Sequence, residues 1–230
     1  MRGPFVGVRR TPTIVGVVRT LSTAMPRPRS LTHTQIASAA LAVIDRDRLA
    51  GLTMRTVARE LGVSTMALYR YVTDREELEQ LVVELVLGAV DVTPPAADLP
   101  WRERVEVLVL RLRDTVGAHP EVVPLTLTHR HLSPGVLRWS ETVLGILTEA
   151  GIEGETRVIA LRGLLAYVIG AVQLEHLGPL SGSGTTTISR LSEFPFMAET
   201  ARYAAGVDAE REFRGGLALV LRGMGARGPG

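Results

Sequence analysis

The chain has 230 residues, 46% of them hydrophobic, a formal net charge of +2 and no cysteine. The sequence has no lysine, so all 26 cationic side chains are arginine, which excludes a Walker-type phosphate loop, Schiff-base lysine chemistry and pyridoxal enzymes. The missing cysteine excludes a disulfide framework, a thiolate nucleophile and cysteine-ligated zinc or iron–sulfur centres, and fits a reducing cytoplasm.

The charge is unevenly distributed. Residues 26–75 hold eight Arg against four acids, a net of +4, residues 1–25 add four Arg and no acid, and residues 76–230 hold 14 Arg against 20 acids, a net of −6. The basic end is therefore the candidate nucleic-acid end. Leu78–Val90, read as the oiliest stretch, is interrupted by Glu84, and no bilayer-spanning run of about 20 apolar residues is expected. Residues 1–25 show no convincing signal-peptide cleavage pattern and are read as a disordered extension, or as translation begun upstream of Met25.

Taken in chain order, the apolar positions repeat at three and four residues and nowhere alternate as in a strand, so an all-α fold is predicted. A first helix starts after the N-cap Thr32, carries Ile36, Ala39, Ala40, Val43 and Ile44 at three- and four-residue spacing, and exits at Gly51. Thr53 caps a short second helix facing inward with Val57, Ala58 and Leu61, and Gly62 supplies a left-handed exit. Ser64 caps a third helix, about Thr65–Tyr71, that buries Leu68. Asp74 caps a fourth that continues through Leu78, Leu81, Val82, Leu85 and Val86.

Three prolines in residues 91–100 mark a connector. Helices follow at Trp101–Gly117, about Pro120–Thr128, and Pro134–Ala150 with Gly151 as the stop. Glu155–Leu177 is apolar or small on nearly every side and is expected to be buried all round. Residues 178–195 read as a Gly/Ser/Thr-rich loop, and one final helix is expected from Phe196 to Arg222. The expected organisation is an extension (1–25), a helix-turn-helix domain (26–75), a connecting helix and linker (76–99), a ligand-binding and dimerisation domain (100–223) and a disordered tail (224–230).

The segment TMRTVARELGVSTMALYRYV has the parts of a helix-turn-helix: two short helices, the small Ala58 where they cross, Gly62 at the turn and Val63 as a plug. Backbone N–H groups at Ser64 and Thr65 begin the second helix and suit a phosphate. Residues 52–78, LTMRTVARELGVSTMALYRYVTDREEL, resemble the tetracycline-repressor family of transcription regulators. The resemblance is strongest over Leu31–Leu87, and the helical segments from PWRER at Pro100 onward look like that family's C-terminal regulatory domain.

The resemblance implies that Tyr69 and Arg75 contact phosphates, that Thr53 makes a backbone contact and that Arg55 reads a base. Thr65, Met66, Ala67 and Arg70 match positions that meet base edges and nearby phosphates, and Tyr71 stands where His is frequent. Arg55 would suit guanine, and Met66 and Ala67 a thymine methyl. Arg46, Arg48 and Arg59 are read as solvated, and Arg27 and Arg29 as a candidate minor-groove arm.

A single recognition helix reads few base pairs, so a homodimer on a palindromic double-stranded operator is expected, joined through helices near 155–177 and 196–222. Gly163, Ala166 and Gly170 permit close approach on the first of these, and Phe213, Leu217 and Leu221 repeat along the second. The resemblance implies a small, largely apolar effector, with Leu112, Val116, Leu125, His129, Trp139, Leu165 and Gln173 as candidate lining. The alternative is a helical small-molecule sensor or enzyme without DNA binding. No cofactor or catalysis is expected: His129-x-His131 lacks a carboxylate cluster, Gly223-x-Gly225-x-x-Gly228 lacks the strand and helix of a dinucleotide site, and Ser181 and Ser183 lack nucleophile-elbow spacing.

Overall fold

Local capping signals start the first four helices. The computed structural model describes residues 30–178 and 180–224, and all regular structure among them is helical. The candidate arm residues Arg27 and Arg29, the extension 1–25 and the tail glycines Gly225 and Gly228 lie outside the described residues. Helix α1 (His33–Asp47) opens with a capping box: the Thr32 hydroxyl accepts from Gln35 N at 3.2 Å, and Gln35 Oε1 accepts from Thr32 N at 3.0 Å.

Helix α1 buries Ile36, Ala37, Ala40, Val43 and Ile44. It ends at Asp47, before the expected Gly51. Arg48 turns the chain with φ 61°, and Leu49–Gly51 form a single 3₁₀ turn. The early reversal brings Leu52 back onto the core, where it is fully buried.

Helices α2 (Met54–Glu60) and α3 (Thr65–Leu68) pack as a pair beneath α1, and α4 (Arg75–Gly88) closes the three-helix core. Val57, Ala58, Leu68, Val72, Leu78 and Val82 are buried between them. Helix α4 also reaches the rest of the molecule, because Val83, Val86 and Leu87 pack onto the C-terminal helices. The connector 91–100 has no helix.

Beyond it lie α5 (Trp101–Gly117), α6 (Val123–His129, preceded by a 3₁₀ turn at Pro120–Val122), α7 (Pro134–Glu149) and α8 (Gly154–Leu177). Their core includes Val105, Leu108, Leu112, Trp139, Val143, Ile146, Leu164 and Val168. Trp139 is fully buried, and its indole N–H donates to Leu108 O at 2.9 Å. Gly135 allows α7 to meet α4 closely: a Cβ there would lie 2.5 Å from Gly88 N and Leu87 O.

Four expectations are corrected. Helix α8 is buried along one side only, through Ala160, Leu164, Val168 and Val172, while Val158, Ile159 and Leu174 are more than 60% exposed. It is also long and apolar enough to cross a bilayer by length and composition, with a mean hydropathy of 1.6, so Leu78–Val90 is not the oiliest stretch. One side of it packs onto α5, α7 and α11, and only 22% of that apolar stretch is buried within the chain.

The segment read as a loop contains a short helix, α9 (Ser183–Ile188), whose threonines bond back to backbone carbonyls, as Thr187 Oγ1 does to Ser183 O at 3.0 Å. The expected single last helix is two, α10 (Pro195–Ala204) and α11 (Ala209–Gly223). The break falls at Ala205–Asp208, where the Asp208 carboxylate caps α11 by accepting from Arg211 N at 2.8 Å.

Helix α11 is bound to α5 and α8 through Arg113. This buried guanidinium donates to Glu210 at 2.6 Å and Glu175 at 3.3 Å and lies 4.5 Å from the Phe213 ring centroid. The hydrogen bond from Arg113, helped by one from Arg214, holds the Glu210 carboxyl below its ordinary pKa.

Candidate nucleic-acid interface and effector chamber

The turn between α2 and α3 is tight because Gly62 adopts φ 68°. There Gly62 N donates to Arg59 O at 3.1 Å and Val63 N to Ala58 O at 2.9 Å, closing α2 while Val63 tucks against the core. Two of the expected site hydroxyls have local work. Thr53 accepts from Thr56 N at 3.1 Å, and Ser64 accepts from Ala67 N at 3.1 Å. Each fixes the start of its helix and so the direction of the side chains that follow.

Around those caps Arg55, Met66, Tyr69 and Arg70 are exposed, Thr65 and Ala67 are partly so, and Tyr71 is half-buried against the core. Met66 is 76% and Tyr69 47% exposed, the two large apolar side chains of the described head that face solvent. Among the described residues, Arg55, Arg59 and Arg70 enter no ion pair, whereas Arg46 binds Asp47 and Glu60 at 3.1 and 3.0 Å and Arg48 binds Glu121 at 3.3 Å. Arg75 lies at the start of α4, with its Nε donating to Glu79 Oε1 at 2.8 Å and its Nη2 to Leu49 O at 3.4 Å.

The candidate chamber residues divide. Leu112, Val116 and Leu165 line one small cavity of about 20 Å³ together with Leu87, Thr126, Arg130, Val136, Val168 and Ile169. Leu125 and Trp139 are buried but not among its walls, and Gln173 is exposed on α8 away from it. His129 is buried, and its Nε2 is 3.1 Å from Glu79 Oε2 on α4. A free volume of that size holds about one water, too little for a ligand of ordinary size.

The parts of the molecule that meet at this cavity are held by polar contacts that no local pattern announces. Glu84 on α4 accepts from the Ser133 hydroxyl and, at 3.2 Å, from Gly135 N at the start of α7. Asp45 near the end of α1 lies 3.0 Å from His119 Nδ1, and Glu121 lies 3.3 Å from both Arg48 and His176. These partners stand 49 to 74 positions apart in the chain, beyond the reach of any local pattern.

A basic helix-turn-helix head carried on an all-helical body defines a class, the two-part bacterial transcription regulators. Residues 93–227 match the family model described as tetracyclin repressor-like, C-terminal domain. The chain belongs to the tetracycline-repressor family.

It is 31% identical over 148 residues to the HTH-type transcriptional repressor DrrR1 of Streptomyces coeruleorubidus, a match that spans 64% of this chain but only 54% of that relative. An HTH-type transcriptional regulator of Saccharopolyspora erythraea is 29% identical over 204 residues, 85% of each chain. Among solved structures, Streptomyces coelicolor ActR in complex with actinorhodin superposes with a TM-score of 0.74 at 26% identity, covering 86% of this chain and 96% of that one.

Proposed function

We propose that the protein is a homodimeric repressor that binds a palindromic operator through its helix-turn-helix and leaves it when a small, largely apolar ligand enters the chamber. The observation that carries this reading is the exposed set on α2 and α3. Among the described residues Arg55 and Arg70 are without carboxylate partners, and Met66 and Tyr69 are uncovered, on a head whose other large apolar side chains are buried or partly buried. In this reading Arg55 reads guanine, and Met66 and Ala67 meet thymine methyls. Tyr69, Arg70, Arg75, Thr53 and Thr65 touch the phosphate backbone, while Ser64 holds the frame and Tyr71 supports it from the core side.

The exposed apolar residues of α8 and α11, Val158, Ile159, Leu174 and Leu219, support pairing with a second copy. The small chamber supports a resting state that binds DNA and an occupied state that does not, since a ligand acts by favouring one of two arrangements. Its place of work is the cytoplasm, with its operator.

The test is a titration of the protein against the duplex upstream of its own gene at several salt concentrations, with footprinting. Two protected half-sites about one helical turn apart, and a steep loss of affinity with salt, are expected. A flat salt response with no footprint would refute the DNA-binding reading. In the same assay Arg55→Ala relaxes the sequence preference while Tyr69→Phe weakens all duplexes alike. Identical behaviour of the two variants would overturn these roles.

A further inference from the structure

His129, a chamber candidate by sequence, points at α4. It is buried at the end of α6, its Nε2 meets Glu79 Oε2 at 3.1 Å, and Glu79 Oε1 accepts from Arg75 Nε at 2.8 Å. Side-chain exposure rises along this line, from 4% at His129 through 17% at Glu79 to 49% at Arg75. One carboxylate thus joins the interior of the body to the surface of the head. We propose that His129 is a positioning residue for DNA binding, fixing Glu79 so that Glu79 fixes the guanidinium of Arg75. The inference rests on the reading of Arg75 as a phosphate contact.

The chemistry sets the direction of the effect. An imidazole N–H donated to one carboxylate oxygen leaves the other oxygen for Arg75, so the guanidinium is held through Nε with its Nη1 hydrogens uncommitted. Without the imidazole, the carboxylate is free to rotate and take the guanidinium fork with both oxygens, the stronger bidentate pairing. Arg75 is then retained by Glu79 and is less available to a phosphate. Thr126, three residues before His129 on the same helix, lines the chamber, as does the next residue, Arg130, so displacement of α6 moves the imidazole.

The experiment measures binding of a fluorescein-labelled duplex from the region upstream of the gene, and of a scrambled duplex of equal length, by anisotropy. The proteins are wild type, Arg75→Ala, His129→Leu, His129→Gln and the Arg75→Ala/His129→Leu double variant. Losing a charge-assisted contact weakens both duplexes about tenfold in Arg75→Ala. His129→Leu is expected to weaken both by about threefold or more, His129→Gln, which keeps a donor, to restore affinity, and His129→Leu to add nothing in the Arg75→Ala background.

A merely structural role for His129 would weaken binding equally with or without Arg75, and that result overturns the proposal. Wild-type affinity in His129→Leu overturns it as well, leaving the Arg75 contact standing. Unchanged binding in Arg75→Ala instead overturns the phosphate reading, and the relay with it. If melting curves show that His129→Leu does not fold, Glu79→Gln, which keeps one acceptor oxygen where the two partners use two, reads the same relay. Wild-type affinity in that variant is decisive against it.

Discussion

Arg46 and Arg55 carry the same charge and differ in what surrounds it. Hydrogen bonds donated to Asp47 first, and then to Glu60, hold the Arg46 guanidinium above its ordinary pKa and occupy it, whereas Arg55 has no carboxylate partner among the described residues. Operator binding is therefore expected to change less than about twofold in Arg46→Ala, since an exposed paired charge contributes little. In Arg55→Ala it falls by about 1–3 kcal/mol with a relaxed preference at one base pair, and anisotropy at fixed salt reads both. Gly135 gives a second expectation at this scale. A methyl group there meets backbone atoms of α4, which cannot rotate away, so Gly135→Ala should cost about 1–3 kcal/mol, seen as a lower denaturant midpoint. The sequence carried the proposed DNA-facing residues because they share one short motif. It carried neither the Arg46–Glu60 pair nor the Glu79–His129 pair, whose members lie 14 and 50 positions apart.

Helix starts were legible wherever a short polar side chain stood ahead of the apolar repeat, because a cap is a bond across three residues. Thr32, Thr53, Ser64 and Asp74 all act this way. Asp208 has the same local signal, with Gly206 two residues before it, but the apolar content on both sides of the break masked it. Asp208→Ala should therefore destabilise α11 by about 1 kcal/mol, measurable by thermal unfolding. The same helix has a pH response. Because the Glu210 carboxyl is held low by Arg113 and Arg214, its contribution is full above the ordinary carboxylate range and is lost as pH falls through the depressed value. Acid unfolding of Glu210→Gln should be less steep over that window than that of the wild type. The burial of α8 was misread for a different reason. An all-round apolar helix announces that every side will be covered, and a single chain covers only one.

That uncovered side argues for a molecule larger than one chain. Replacing Ile159 with Glu on the exposed side of α8 should turn a dimer into a monomer in sedimentation and abolish operator protection, with little change in the helical content of each chain; a sedimentation value unchanged from wild type would remove α8 from the interface. Within one chain, head and body share α4, whose Leu78 and Val82 belong to the three-helix core while its Val86 and Leu87 belong to the body. The two parts should consequently unfold together.

Trp139 makes that joint behaviour visible. The chain has two tryptophans, Trp101 at the start of α5 and Trp139 on α7, and none in residues 1–100. Indole fluorescence therefore reports the body alone, dominated by a fully buried ring hydrogen-bonded to Leu108 O, while circular dichroism sums over every helix. A red shift of the emission that coincides with the loss of ellipticity marks one cooperative unit, and the protein needs no attached dye for its own unfolding to be followed by light.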